Sequence, residues 1–319
     1  MKAFQISESG SAPILVEIDR PEPDQGQVQV RIGACGLNFA DLLMISGTYQ
    51  DTPAPPFTMG LEAAGTITKL GQDVTGFSIG DRIAVFAGRG GLAEYGCFDA
   101  DRCMHIPDAM TFTDAAAFQV AYGTSHLALS RRARLQPGET LVVLGAAGGV
   151  GLTAVEIGKL MGANVVAVAR GADKLAVAKQ AGADHLIDSE TQDIRAELKA
   201  LGGADVVYDP VGGDQFKHAL RACRPEARVI IIGFASGDIP QIPANILLVK
   251  NISVIGHYWG GFSTFNPAAL TESLAQLVTW YVDGKLKPHV SHVLPLDKAA
   301  DGLALLKQRK STGKVVITP

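Results

Sequence analysis

The amino-acid sequence predicts an α/β protein that combines a β-rich domain with a doubly wound parallel-sheet domain. Between about residues 27 and 110, apolar residues alternate with polar ones and Gly and Pro interrupt them often, which is typical of short antiparallel strands joined by tight turns. Between about 139 and 256, unbroken β-branched runs alternate with helical stretches, as in strands buried on both faces of a parallel sheet. The segment 284–319 returns to turn residues and ends in an apolar strand. We therefore expect the β-rich domain to contain both chain ends, with the α/β domain inserted between them.

Individual elements follow from the local periodicity. Alternation predicts strands at 27–32 and 65–70, and a further strand at 81–86 follows a Gly-Asp turn. Near the C-terminus, the apolar run 314–318 predicts the last strand. Continuous apolar runs predict buried strands at 141–144, 164–168, 205–208, 228–232 and 252–255. Apolar residues at 150, 154, 157 and 161 repeat at helical spacing, and the Ala- and Lys-rich stretch 174–181 is a second helical candidate.

The overall composition excludes several classes of protein. The 319 residues carry a net charge of −4, which gives no electrostatic reason to expect a nucleic-acid partner or an anionic membrane. No stretch approaches the roughly 20 apolar residues of a membrane span, and the N-terminus lacks the pattern of a secretory signal. The four cysteines form no C-x-x-C pair, and nothing nearby completes a zinc set with Cys103 and His105. A soluble cytoplasmic protein without a metal is the expectation.

A Gly-rich turn at 141–151 is the strongest feature of the sequence. A buried strand leads into Gly145, Gly148 and Gly151 at G-x-x-G-x-x-G spacing, and an amphipathic helix follows at once. Glycines allow a tight turn and a close approach of backbone N–H groups to a pyrophosphate, and the helix N-terminus adds partial positive charge. A structural βα turn without ligand is the alternative interpretation. The residues expected to contact the dinucleotide here are Gly145, Ala147, Gly148, Gly149, Val150 and Gly151.

The end of the second strand of this domain favours NADPH over NADH. An acidic residue there would bind the adenosine ribose and repel a 2′-phosphate. The sequence instead has Ala169, which leaves space, followed by the cations Arg170 and Lys174. Asp173 is the only acid nearby, and it lies where it could cap the following helix. Arg170 as a mere surface charge is the competing interpretation.

Several motifs spread over the whole chain resemble those of one enzyme family. They are Gly36-Leu-Asn-Phe-Ala-Asp41, Gly47-Thr-Tyr49, Met59-Gly-Leu-Glu-Ala-Ala-Gly65, Phe77-Ser-Ile-Gly-Asp-Arg82, Ala93-Glu-Tyr95, Gly145–Gly151, Gly182-Ala-Asp184, Asp209-Pro-Val-Gly-Gly213 and Gly313-Lys-Val-Val316. With them the chain resembles the zinc-independent quinone oxidoreductases, the zeta-crystallin-like branch of the medium-chain dehydrogenase/reductase superfamily. The resemblance implies a GroES-like catalytic domain at 1–118 and 260–319 and a Rossmann NADPH-binding domain at 119–259.

The resemblance also gives meaning to absent residues. Zinc-containing relatives have metal ligands where this chain has Asn38, Leu61 and a residue near Val120, so no zinc is expected here. Alcohol oxidation then lacks the usual Lewis acid. Reduction of a quinone or another activated acceptor needs less help, because the negative charge develops on an oxygen already conjugated to the acceptor carbon.

Three residues match family positions that line the cleft beside the nicotinamide. Asn38 would hydrogen-bond the acceptor oxygen, and Tyr49 would do the same or deliver a proton. The structural alternatives are that Asn38 satisfies a loop backbone, that Asp41 caps a helix beginning at Leu42, and that Tyr49 only packs.

The remaining expected site residues follow from the resemblance and from one aromatic segment. Thr124 matches a position near the nicotinamide, with a helix N-cap as the alternative, and Gly233 is assigned to the cofactor. Leu43 stands where some relatives have Tyr, which makes the pocket more apolar. Tyr258 and Trp259, between glycines, would line the acceptor pocket or pack an interface. Nearby His257 is a possible proton donor. Ser189 replaces a Tyr that often holds the 2′-phosphate, which weakens the NADPH assignment.

The function predicted from these features is NADPH-dependent hydride transfer to a quinone without zinc. The first alternative is an enoyl reductase for α,β-unsaturated ketones, aldehydes or thioesters. A non-catalytic NADPH-binding protein is the alternative from another class. The partners expected are a small quinone or enone acceptor and a second copy of the chain, which would pair through the strand Asn251-Ile-Ser-Val-Ile255.

Overall fold

A computed structural model describes all residues from 1 to 319. The chain divides into two compact units: the first contains Met1–Val120 and Pro288–Pro319, and the second contains Ala121–Lys287. The predicted boundary at 118/119 lies close to the first crossing. The structure places the second crossing 28 residues later than 259/260, because the helical segment 262–282 packs within the second unit. There the Ser273 hydroxyl lies 2.7 Å from His126 Nδ1.

The elements are numbered in chain order. The strands are β1 (Lys2–Ile6), β2 (Ile14–Glu17), β3 (Gln27–Gly36), β4 (Phe57–Thr58), β5 (Glu62–Leu70), β6 (Arg82–Phe86), β7 (Tyr95–Asp99), β8 (Cys103–His105), β9 (Thr140–Leu144), β10 (Asn164–Ala169), β11 (His185–Asp188), β12 (Ala204–Asp209), β13 (Cys223–Ile231), β14 (Ser253–Gly256), β15 (Val290–Pro295) and β16 (Lys314–Thr318). The helices are α1 (Phe39–Ile45), α2 (Phe112–Ala116), α3 (Gln119–His126), α4 (Gly149–Leu160), α5 (Gly171–Gln180), α6 (Ile194–Ala200), α7 (Gly213–Ala222), α8 (Ala244–Lys250), α9 (Phe262–Phe265), α10 (Pro267–Val282) and α11 (Ala299–Lys307). A π-helical segment, Leu127–Arg132, continues α3.

The first unit is β-rich, as the alternation predicted. One sheet has the order β15-β16-β3-β5-β6-β8, with β7 also pairing with β3, and a small sheet has the order β2-β1-β4. All of these pairings are antiparallel except that between β15 and β16. Because β16 pairs with β3, the C-terminal strand lies directly beside the strand that leads into α1.

The second unit is the predicted doubly wound domain. Its six strands are all parallel, in the order β11-β10-β9-β12-β13-β14. All five residues of β9 are buried, as expected for a central strand covered on both faces. The order reverses between β9 and β12, and ligands of such sheets bind at the carboxyl ends of the strands beside this switch point. The Gly-rich turn follows β9 at this position. Strand β11, half exposed, was not predicted because its apolar run is too short.

No helix in the structure combines the length and the apolar character that crossing a bilayer requires.

Candidate functional site

The Gly-rich turn of the second unit is shaped by close backbone contacts. Gly145 has a φ of +59°, a conformation that side chains with a Cβ rarely adopt. A Cβ atom on Gly151 would lie 2.2 Å from the Gly145 carbonyl oxygen. The strand therefore turns into the helix so tightly that only glycine fits at position 151.

Helix α4 begins with uncapped N–H groups at the end of this turn. Its N-cap residue is Gly148, which has no side chain to accept a hydrogen bond. The first N–H groups of a helix have no intrahelical partner, and they carry the positive end of the helix dipole. Gly148 is exposed, and Gly149 and Val150 are half-buried, whereas Ala147 is buried. The turn can thus donate hydrogen bonds to an anion such as a pyrophosphate.

The loops after β10 and β11 lie side by side at the same edge of the sheet. Asp188 Oδ1 accepts the Gly171 N–H and the Glu190 N–H, both at 3.0 Å, and these bonds lower the pKa of Asp188. Arg170 is the half-buried N-cap residue of α5 and makes no capping bond with its side chain. The Ser189 hydroxyl is buried and has no hydrogen-bond partner.

The second cation of this loop, Lys174, and its acid, Asp173, lie on α5. Lys174 is half-buried within the helix, whereas Asp173 is exposed in its first turn. Arg170 and Lys174 therefore lie at the start of one helix, at the edge where the adenosine end of a dinucleotide would bind.

Residues of α3 and the segment after β14 pack together in the second unit. Thr124 is 7% exposed and lies inside α3, so the alternative of an N-cap is wrong. Trp259 is 4% exposed, and a Cβ on Gly123 would lie only 2.6 Å from its Nε1 atom. Trp259 is therefore a packed aromatic, which corrects its expected place in a pocket wall. Tyr258 is 37% exposed.

Two further residues lie near the carboxyl ends of the same sheet. His257 is buried and neither ring nitrogen has a hydrogen-bond partner. Burial, and secondarily Arg132, lowers the pKa of His257 to about 4, so that the imidazole is neutral at pH 7. Gly233 follows β13 and is half-buried, with its N–H directed at the Asp209 carbonyl oxygen.

A buried polar cluster lies in the first unit, and we call Asn38, Asp41, Glu62 and Lys314 the Lys314 network. The Lys314 ammonium donates to the Glu62 Oε1 atom at 2.8 Å and to the Asn38 Oδ1 atom at 2.7 Å. Its third bond, at 2.7 Å, goes to the Leu37 carbonyl oxygen. The side chains of Lys314 and Glu62 are 6% and 1% exposed. This ion pair is therefore almost completely shielded from water.

Asp41 belongs to the core of this network and caps α1. Its Oδ2 atom accepts the Asn38 N–H at 2.8 Å in a capping box, and α1 begins at Phe39 rather than at Leu42. Asp41 is fully buried, so it does not line a cavity wall as expected from the resemblance. Burial raises its pKa to about 7, opposed by the Asn38 N–H and the nearby Lys314 ammonium.

The hydrogen-bonding groups of the Asn38 amide all have partners within the first unit. Its Nδ2 atom donates to the Glu62 Oε1 atom at 2.9 Å and to the Gly36 carbonyl oxygen at 3.1 Å. A bond from Asn38 to an acceptor molecule therefore requires the exchange of one of these bonds. Asn38 itself is half-buried, so one part of it reaches the surface.

Two other predicted site residues lie close to this cluster in the chain. Leu43 and Tyr49 are half-buried, and Tyr49 packs against the apolar core that contains Met44 and Leu61. Neither residue is fully covered, so each has surface to offer a small molecule.

Lys314 and Glu62 were not predicted as site residues. Lys314 was assigned only to an apolar strand, and Glu62 only to a family motif. The available signal was a single lysine at the head of the apolar run Val315-Val-Ile317. A charge at the start of a fully buried strand requires a buried partner, but the sequence cannot identify that partner.

No three histidine, cysteine, aspartate or glutamate side chains come together in an arrangement that could hold a metal ion. The Lys314 ammonium lies between the Asn38 amide and the Glu62 carboxylate, and Asn38 is one of the three positions at which the resemblance places a zinc ligand in zinc-containing relatives.

Two family models match the chain. Residues 24–108 match the alcohol dehydrogenase GroES-like domain, and residues 149–275 match the zinc-binding dehydrogenase domain. These matches correspond to the β-rich part and the parallel-sheet part of the structure.

Relatives and solved structures resemble the chain over nearly its whole length. A quinone oxidoreductase-like protein 2 homolog from Nematostella vectensis is 41% identical, over 99% of this chain and 88% of that protein. A synaptic vesicle membrane protein VAT-1 homolog from Homo sapiens is 33% identical, over 94% of this chain and 80% of that protein. The quinone oxidoreductase from Thermus thermophilus, solved also in complex with NADPH, is 32% identical with a TM-score of 0.87, over 100% of both chains.

Proposed function

We propose a specific reaction for this chain, which is an oxidoreductase and belongs to the quinone oxidoreductase branch of the medium-chain dehydrogenase/reductase superfamily. The proposed reaction is the NADPH-dependent reduction of a quinone. The observation that carries it is the uncapped start of α4 behind Gly148, which offers N–H donors to a dinucleotide pyrophosphate.

The choice of NADPH depends on the loop after β10. Arg170 and Lys174 provide positive charge for a 2′-phosphate, and Ala169 removes the acidic side chain that would repel it. The Thermus thermophilus relative, which has the same fold, binds NADPH.

The acceptor side of the reaction would be served by the first unit. Bound NADPH supplies a hydride, and a quinone that accepts it also needs a proton to become a hydroquinone. Tyr49 is proposed to hold that proton at its phenol oxygen, in reach of the quinone oxygen. Asn38 is proposed to contact the same oxygen after exchange of its longer bond, the one to the Gly36 carbonyl. Leu43 would contact the apolar ring.

Zinc is not part of the proposed reaction. The space between Asn38 and Glu62 contains the Lys314 ammonium, and a second cation there would be repelled. Activity that survives prolonged dialysis against a chelator, without loss of the unfolding temperature, is the expected result.

A steady-state panel tests the proposed activity. The purified chain is assayed with NADPH and with 1,4-benzoquinone, 1,2-naphthoquinone, a simple enone or crotonyl-CoA. We expect the two quinones to have a larger kcat/KM than the enone and crotonyl-CoA. Turnover of the enone or thioester alone would establish an enoyl reductase instead. NADPH binding without turnover of any acceptor would favour the non-catalytic alternative.

We also propose that two copies associate through the edge of the parallel sheet. Strand β14 is the last strand of that sheet and has no neighbour on its outer side. On the preceding helix, Leu248 and Val249 are each 80% exposed, which is unusual for large apolar side chains of a monomer. Light scattering at micromolar concentration should give twice the mass of 33.4 kDa. A monomer at that concentration would contradict this proposal.

A further inference from the structure

We propose that Lys314 is a positioning residue that fixes which edge of the Asn38 amide faces the acceptor. Lys314 itself touches neither cofactor nor acceptor in this proposal, and its catalytic consequence rests on the proposed function of Asn38.

The ammonium group fixes the oxygen edge of the amide, while Glu62 and the Gly36 carbonyl accept from its Nδ2 edge. The ammonium has three N–H donors and no acceptor, and its three bonds go to the Leu37 carbonyl, the Asn38 side chain and Glu62. The atom of Asn38 that faces Lys314 must therefore be the amide oxygen. A flipped amide would direct N–H groups at the ammonium and lose this bond.

The opposite edge of the amide is consequently a donor edge. The Nδ2 group is held by Glu62 at 2.9 Å and, more loosely, by the Gly36 carbonyl at 3.1 Å. A quinone oxygen that approaches this edge meets N–H groups, which stabilise the negative charge that grows on it during hydride transfer. In the flipped orientation the quinone oxygen would meet the amide oxygen and be repelled.

The rest of the network holds the ammonium in place. The second carboxylate oxygen of Glu62 accepts the Val120 N–H at 2.9 Å, so the carboxylate is fixed on both sides. Lys314 lies on β16 next to β3, which ends where α1 begins. The amide orientation of Asn38 thus depends on Lys314, which lies 276 residues later in the sequence.

A simpler role competes with this one, because Lys314 also balances the charge of the buried Glu62. Two variants separate the roles. Lys314→Met removes the ammonium and leaves Glu62 unpaired, whereas Lys314→Met with Glu62→Gln leaves both side chains neutral. If Lys314 only balances charge, the double variant should recover both its stability and its activity.

We expect a different result for a positioning residue. In the double variant the unfolding temperature should recover, whereas kcat for the quinone should stay at least about tenfold below wild type. The KM for NADPH should change less than twofold. Adding Asn38→Ala to the double variant should reduce kcat no further, because the amide is already misoriented. Recovery of kcat to the wild-type value in the double variant would overturn the proposal.

The matched control is Lys69→Met, which removes the lysine of an exposed ion pair with Glu22 in the same unit. It should leave kcat unchanged. A loss of kcat there equal to that of the double variant would show that the assay responds to any lost lysine, and would also count against the proposal.

A readout without turnover separates this proposal from the proposed function. The side-chain amide protons of Asn38 should exchange slowly with solvent in the wild-type chain and much faster in the double variant, as measured by NMR. Equal exchange in both would overturn the positioning role. If the wild-type chain reduces no acceptor, the proposed function is wrong, and the exchange rates still decide whether Lys314 fixes the amide.

Discussion

The Gly-rich turn of the second unit and the Lys314 network of the first unit are built in opposite ways. The turn consists of consecutive residues, 145–151, and offers backbone N–H groups. The network consists of side chains at positions 38, 41, 62 and 314, held in a buried environment. A local backbone site depends on the absence of side chains, whereas a dispersed side-chain site depends on every partner being present. Substitutions in the turn should therefore mainly weaken cofactor binding, whereas substitutions in the network should mainly lower the unfolding free energy.

The largest effect is expected from breaking the buried ion pair. Glu62→Gln leaves the Lys314 ammonium buried without a counter-ion, and such a loss typically costs about 3–5 kcal/mol of unfolding free energy. The matched control is Glu22→Gln, because Glu22 pairs with Lys69 at 2.6 Å but is 66% exposed. An exposed pair contributes about 0–1 kcal/mol. Urea unfolding measures the unfolding free energy of both variants. An equal decrease in Glu62→Gln and Glu22→Gln would contradict the distinction between the buried and the exposed pair.

A smaller effect, directed at binding, is expected from Gly151→Ala. The new Cβ would lie 2.2 Å from the Gly145 carbonyl oxygen, so the turn must open and the N–H groups move apart. We expect NADPH to bind at least about 30-fold more weakly, about 2 kcal/mol, as measured by fluorescence titration.

Gly158→Ala on the same helix is the control for Gly151→Ala. Its Cβ would lie 2.3 Å from a Leu141 methyl group, away from the turn. It should lower the unfolding temperature without changing NADPH affinity in the folded protein. Equal loss of affinity in both variants would mean that the turn has no special role.

Arg170→Ala should change cofactor preference by a still smaller amount. Loss of one phosphate contact should raise the KM for NADPH about tenfold and leave the KM for NADH unchanged, which is about 1.4 kcal/mol. Arg131→Ala, an exposed arginine of the π-helical segment, is the control and should change neither. Equal effects on both cofactors would remove Arg170 from the 2′-phosphate site.

A further effect concerns the pH dependence of the network. The pKa of Asp41 rises from 3.8 to about 7 on folding, so its protonated form favours the folded state. That contribution is fully present below about pH 4 and is lost as the pH rises through 7. The groups facing Asp41 are the Cys35 thiol, Glu62 and Lys314. The unfolding free energy of the wild type should therefore fall, relative to Asp41→Asn, between pH 5 and pH 8. If the unfolding free energies of the wild type and Asp41→Asn differed by the same amount at pH 5 and pH 8, this assignment of the Asp41 pKa would be contradicted.

Much of the fold could be predicted because its signals are local. The buried runs at 141–144 and 164–168 became β9 and β10, and the alternation at 27–32 became part of β3. The family resemblance was confirmed by relatives that match the chain almost end to end. The boundary at 259/260 could not be predicted, because α10 joins its unit through distant contacts such as Ser273 with His126.

The candidate sites divide along the same line. Gly145, Gly148 and Gly151 were identified from spacing alone, since a backbone turn needs no distant partner. Trp259 was assigned to a pocket because an aromatic residue between glycines fits either a cleft or a packed contact. Only the position of Gly123 against its ring decided between the two.

The sequence by itself determined the Gly-rich turn at which the cofactor is expected to bind. Glycine at fixed spacing between a strand and a helix dictates a turn with free N–H groups, because the conformation depends only on neighbouring residues. Only the tertiary structure decided the Lys314 network, in which Lys314 meets Asn38 and Glu62. A buried charge must find a partner, but which partner it finds depends on the pairing of β16 with β3, and pairing between distant strands is not encoded in any local pattern.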